Sequence, residues 1–201
     1  MMTGTLILYD PFNIMIYVHP RVYPPSEDTF LMLESVLKDL EKSHYSKILE
    51  IGCGSGLISV VLAKLGKQVT VIDIDPYAIK CTLLNAYING VRQRIRVLLG
   101  DLFSPLHKGN LFDLIVFNAP YMPPKHNFID LRVEGGLDLI KRFLKGASTF
   151  LSDRGKIFLS SSSCTPISAV IDTIKDFNFR YEVMSTSHSF MEKIFVLKIF
   201  R

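Results

Sequence analysis

Three cysteines in 201 residues, Cys53, Cys81 and Cys164, stand far apart and make no Cys-x-x-Cys pair. The five histidines form neither a His-Glu-x-x-His run nor a cluster with cysteine. These absences argue against a disulfide framework and against a metal site of the chain's own. No stretch reaches 18 consecutive apolar residues, so no membrane span is expected. The first twenty residues lack a basic flank and a small-residue cleavage site. Asp10, Pro11 and Asn13 interrupt their apolar runs, so no signal peptide is expected either. Internal repeats and Gly/Ser or acidic linkers are missing. Charge of one sign is scarce: 23 Lys and Arg face 19 Asp and Glu, a net +4. That excess is too small to mark a nucleic-acid surface. The expected setting is soluble, reducing and cytoplasmic.

What is present is a core. Apolar residues make up 48% and charged residues 21%, which rules out disorder. The length suits one domain. A mean hydropathy of +0.27 points to apolar surface that a partner covers. Residues 1–25 are expected to be an extended, turn-rich segment packing on a domain of residues 26–201. Ser26 should cap a helix whose first turn carries Glu27 and Asp28, where the helix dipole favours acids. From Lys47 strands and helices alternate. Strands are predicted at Ile48–Ile51, Val69–Ile72, Ile95–Leu99, Leu111–Phe117, Lys156–Ser160, Arg180–Ser187 and Lys193–Phe200. Helices fill most of the intervals, which requires parallel pairing and right-handed crossovers. The result is a seven-stranded, mostly parallel, doubly wound α/β sheet of Rossmann type. Its last two strands, joined by a short turn, form an antiparallel pair.

Glu50 to Gly56 (EIGCGSG) lies between the first of these strands and a helix. Gly52, Gly54 and Gly56 let the backbone turn tightly and approach a ligand, and the helix start offers unpaired N–H groups. Asp73 ends the next strand, 21 residues after Gly52, a distance suited to accepting hydrogen bonds from a ribose diol. A dinucleotide fingerprint would need a third glycine one residue later, and a P-loop would need Gly-Lys-Ser/Thr. Asp101, after the third strand, can accept from an adenine amino group while the Leu102 N–H reads a ring nitrogen. Asn118-Ala119-Pro120-Tyr121 closes the fourth strand at the same sheet edge. A planar NH2 group is a poor nucleophile. Two acceptors in its plane, the Asn118 side-chain oxygen and a backbone carbonyl beside it, would aim its nitrogen at a methyl donor, with Tyr121 stacked on its flat face.

Together, Glu50 to Gly56, Asp73, Gly100 to Leu102 and Asn118 to Tyr121 resemble amino-group methyltransferases with an (Asn/Asp/Ser)-Pro-Pro-(Tyr/Phe) motif. Val22 to Phe30 (VYPPSEDTF) resembles the start of the short, archaeal and eukaryotic form of the HemK/PrmC-related enzymes. Glu134-Gly135-Gly136 with Asp138 resembles their Gly-Gly segment. The resemblance implies a class I methyltransferase fold and S-adenosylmethionine as cofactor. It implies transfer to the side-chain amide of the glutamine in the Gly-Gly-Gln motif of a class-I translation release factor. Thr29, Glu50, Gly52, Asp73, Asp101 and Leu102 match cofactor-contacting positions. Asn118, Ala119, Pro120 and Tyr121 match the catalytic substrate clamp. A small zinc-binding activator protein is implied as a partner. Ala119 departs from the family's proline, which costs the loop a fixed φ but keeps the carbonyl. The alternatives are methylation of an exocyclic amino group of DNA or RNA, methylation of a protein lysine, and a cofactor-binding subunit without catalysis.

Weaker signals remain. Arg92, Arg94 and Arg96 flank an apolar strand, either as a solvated edge or as a docking edge around Leu98. Ser160 to Ser163 read as a polar strand exit, with Thr165 and Pro166 at the N-cap and first position of a helix. Lys125 and His126 stand in a long unpatterned loop beside the expected substrate entrance. Cys53 reads as a small filler.

Overall fold

The computed structural model describes residues 4–120, 135–188 and 192–201. The chain opens with a β-hairpin, β1 (Thr5–Tyr9) and β2 (Ile14–Val18), turned by Asn13 in the left-handed region at φ 48°. Helix α1 (Glu27–Leu40) follows. Its start is tied by the Ser26 N–H, which donates to Thr29 Oγ1 at 3.3 Å. Then come β3 (Lys47–Ile51), α2 (Leu57–Lys64), β4 (Gln68–Asp73), α3 (Pro76–Ile88), β5 (Ile95–Leu99) and β6 (Phe112–Phe117). The chain ends with α4 (Gly136–Phe150), β7 (Leu151–Ser162), α5 (Ile167–Asp176), β8 (Arg180–His188) and β9 (Lys193–Phe200).

Seven strands lie in the order β5-β4-β3-β6-β7-β9-β8. The first five pair in parallel, and β9 runs antiparallel to both β7 and β8. This is the predicted doubly wound sheet. Alternate residues split the core in two. Ile48, Val71, Leu114, Val116 and Phe158 face α1, α2, α3 and the hairpin. Leu49, Ile51, Ile115, Phe117, Ile157 and Leu159 face the α4 and α5 side. Helix α2 is buried from Leu57 to Ala63, as an apolar sequence without a polar face requires.

Three details go beyond the sequence pattern. Within the extended N-terminal segment, residues 5–18 pair as a two-stranded sheet, because α3 and its C-cap supply polar partners for β2. Asn85 accepts from the Tyr17 N–H at 2.8 Å and donates to its carbonyl at 2.7 Å. Asn89 does the same for Met15, at 3.0 and 2.8 Å. Ser160 to Ser162 are buried strand rather than an exit, since β9 pairs them with Val196, Phe195 and Ile194. Pro166 stands at the N-cap of α5 rather than one residue inside it. At the sheet edge, Leu98 is partly buried against the second core cluster while Leu99 is exposed. Arg92 and Arg94 use their guanidinium groups on the carbonyls of Ile95 and Gly66, both at 3.0 Å.

Candidate functional site

Strand order reverses at β3, with β4 on one side and β6 on the other. A crevice opens at such a point beyond the carboxyl ends of the strands. Here it is a cavity of about 780 Å³, walled by the glycine loop, the ends of β4, β5 and β6, and the first turn of α1. Thr29, Glu50, Gly52, Gly54, Asp73, Asp101, Leu102, Asn118 and Pro120 all line it. Gly56 is absent from that lining. A Cβ there would come within 2.7 Å of Thr82 Oγ1, so this glycine lets α2 close against α3. At Gly54, by contrast, φ is +53° and a Cβ would meet nothing nearer than the Tyr23 carbonyl at 3.9 Å. The space it would occupy belongs to the cavity.

Charge in the cavity is acidic. Glu50 sits on the central strand, 3% exposed, with its carboxylate accepting from the Ser59 hydroxyl. Burial pushes its carboxyl up to about 8; the Ser59 bond opposes this and the neighbouring Asp73 charge adds to it. Asp73 accepts from the Gly54 N–H at 3.0 Å and the Asp75 N–H at 2.9 Å, stapling the loop to the start of α3. Burial still raises its carboxyl, against those two bonds. Desolvation disfavours the charge on both buried acids, and a bound cation would offset that cost by favouring their ionised form. S-adenosylmethionine carries a sulfonium and an ammonium, so the donor set fits it.

The second feature is at Asn118, the first residue beyond β6. Its Nδ2 donates to Asp28 Oδ2 at 3.1 Å and lies 3.4 Å from Thr29 Oγ1. A carboxylate only accepts, so the amide NH2 must face Asp28 and the oxygen must face away. That oxygen, Asn118 Oδ1, is buried and has no hydrogen-bond partner among the described residues. Asp28 is itself fixed by the Thr29 N–H at 2.8 Å and is 5% exposed. Burial raises its carboxyl, with the Asn118 bond opposing. Reading the chain by itself gives Asp28 only a helix-dipole role. Its partner is 90 residues away in sequence, and no spacing rule links them.

The remaining predicted residues divide. Ala119 is 2% exposed, its methyl packed in the second core cluster and away from the cavity wall. Leu102 lies in the left-handed region at φ 48°, a strained geometry for a residue with a Cβ. Gly135 permits a close approach, since a Cβ there would fall 2.6 Å from the Pro120 carbonyl oxygen. Tyr121, Lys125, His126 and Glu134 lie outside the described residues. Arg142 of α4, which sequence reasoning passes over, lines the cavity and bonds Asp101.

The chain matches the methyltransferase small domain family over residues 29–191. It is 32% identical over 198 residues to a protein of Methanocaldococcus jannaschii provisionally named an N5-glutamine methyltransferase, across 94% of this chain and 96% of the relative. A release factor glutamine methyltransferase of Dictyoglomus turgidum is 32% identical over 83% of this chain and 64% of its own length. Among solved structures, the E. cuniculi Mtq2-Trm112 complex, described as methylating the termination factor eRF1, matches with a TM-score of 0.70. That match covers 90% of this chain and 99% of the other at 19% identity, and so speaks for the fold. Among the described residues, no helix is long and apolar enough to cross a membrane. With an acidic, glycine-walled cavity at the sheet's reversal point and a relative matched over nearly its whole length, the chain belongs to the methyltransferase small domain family, among the S-adenosylmethionine-dependent protein-glutamine N5-methyltransferases.

Proposed function

We propose that this enzyme methylates the side-chain amide nitrogen of the glutamine in the Gly-Gly-Gln motif of a class-I translation release factor. One atom carries the proposal: Asn118 Oδ1, a buried acceptor without a partner among the described residues, its direction fixed by Asp28. Amide nitrogens are poor nucleophiles because their lone pair is delocalised. An oxygen accepting one hydrogen in the amide plane holds the nitrogen in place and stabilises positive charge as it develops there. The Ala119 backbone carbonyl serves as the second acceptor, and Tyr121 as the stacking face. Nothing in this clamp has to change protonation during transfer. Bound S-adenosylmethionine supplies a methyl carbon made electrophilic by its sulfonium. Glu50 and Asp73 hold that cation and its ribose, while Thr29, Gly52 and Gly54 shape the wall and Asp101 with Leu102 takes the purine. The names of the relatives support a release-factor substrate. The Mtq2-Trm112 complex supports a small activator partner, for which the zinc-binding kind is proposed. Exposed Leu6, Tyr87 and Leu99 offer apolar surface for it. A cytoplasmic location goes with such a substrate.

The test is a labelled-methyl assay, with and without the activator, on three acceptors: release factor, the same factor with its glutamine replaced, and nucleic acid. Label should enter the first alone. Equal labelling of the glutamine-replaced factor, or preferential labelling of nucleic acid, overturns the assignment. Asn118→Ala should keep cofactor binding and lose roughly 100-fold or more in kcat, the usual cost of a missing transition-state hydrogen bond.

A further inference from the structure

We propose that Arg142 is a positioning residue that fixes Asp101 as a hydrogen-bond acceptor and so sets the preference for a 6-amino purine. The inference rests on the reading of Asp101 as a purine contact. Arg142 Nη2 donates to Asp101 Oδ2. The two residues come from opposite halves of the sheet: Asp101 follows the edge strand β5, and Arg142 lies on α4 beyond β6. Both line the cavity. Their side chains are 43% and 57% exposed, and ion pairs so open to water contribute little to stability. Stability therefore does not explain why the pair forms on the cavity wall.

Geometry does. The Asp101 N–H donates to Ser104 Oγ at 3.1 Å, and the Asp101 carbonyl accepts from the Ser104 N–H at 3.0 Å, which pins the backbone. The side chain is left free to turn, and a planar guanidinium on one oxygen restrains it. The second oxygen, Oδ1, meets no donor among the described residues. A carboxylate fixed in this way accepts from an exocyclic amino group. It gains nothing from a purine without one, and the unpaired oxygen then counts against that ligand. Freed from Arg142, the carboxylate can turn toward water and discriminates less.

The measurement is calorimetric binding of two neutralised probes, S-adenosylhomocysteine and its 6-deamino analogue, to the full chain. The ratio of their affinities is the readout, because removing Arg142 also leaves Asp101 free to attract cations and moves absolute affinity by itself. Wild type should prefer the amino form by about 30- to 100-fold, and Arg142→Ala should lower that ratio about tenfold. Arg142→Lys should fall between, since its ammonium keeps the charge on that oxygen but not the planar, directional donor. Asp101→Ala should abolish the preference, and Arg142→Ala added to it should change nothing further. An unchanged ratio in Arg142→Ala, with the preference lost in Asp101→Ala, overturns the role of Arg142 alone. An unchanged ratio in Asp101→Ala overturns the purine contact and this inference with it. A lowered melting temperature with an unchanged ratio makes Arg142 merely structural.

Discussion

The amide of Asn118 can present either end after half a turn, and the Asp28 carboxylate decides which. Asp28→Ala removes that decision. Cofactor binding should persist while kcat falls about tenfold, measured by single-turnover methyl transfer alongside equilibrium binding. The same bond sets a pH limit. The buried Asp28 carboxyl titrates above the ordinary carboxylate range. As pH falls through that raised value the group gains a proton and becomes a donor, able to occupy Asn118 Oδ1. Activity should drop on the acid side, and Asp28→Asn should flatten that limb. Glu50 gives the opposite side of the profile. It ionises only near pH 8 without ligand, and a cation favours the ionised form. Affinity for S-adenosylmethionine should therefore climb between pH 6 and 8, by up to about tenfold per unit, and Glu50→Gln should remove the slope. Without ligand the shift acts against folding. The unfolded carboxyl ionises near 4.5 while the native one stays protonated, so stability is full below 4.5 and declines as pH rises toward 8. Denaturant unfolding of wild type and Glu50→Gln across that window checks the sign.

Asn85 on α3 and Asn89 at its C-cap act as a borrowed strand edge for the hairpin. Their amides satisfy the N–H and C=O of Tyr17 and Met15 just as a neighbouring backbone would. Asn85 also donates to the Ser55 carbonyl in the glycine loop at 2.8 Å, whereas Asn89 donates back to Asn85 within α3 at 2.7 Å. Both alanine variants should lose about 1–3 kcal/mol, because each leaves part-buried backbone groups without a partner. Only Asn85→Ala should also weaken cofactor binding, since it alone releases the loop. Thermal unfolding and calorimetry on the pair separate the two effects. Sequence periodicity reveals none of this. A helix with polar residues four apart reads as an exposed face, and only the return of β2 across it turns those residues inward. Ser160 to Ser162 escape in the same manner, being polar by composition and buried by the pairing of β9.

Over the whole molecule, what could be read from the chain was what repeats locally. Strand and helix alternation, the glycine loop and the acid at the end of β4 all follow from short-range pattern, and they locate the cavity. What joins distant segments could not be read. Gly56 looks like its two neighbours until Thr82 closes on it, and Asp28 looks like a helix-start acid until Asn118 arrives from β6. Arg142 gives no sign until α4 swings it over β5's loop. The seat of α1 shows the same dependence at full length. Ser35 bonds Ser185 at 2.9 Å and Glu27 accepts from Ser187, so the turn that carries Asp28 leans on β8. The acid that orients Asn118 thus takes its footing from a strand 160 residues further along the chain, and a change on that outer strand should be felt at the amide.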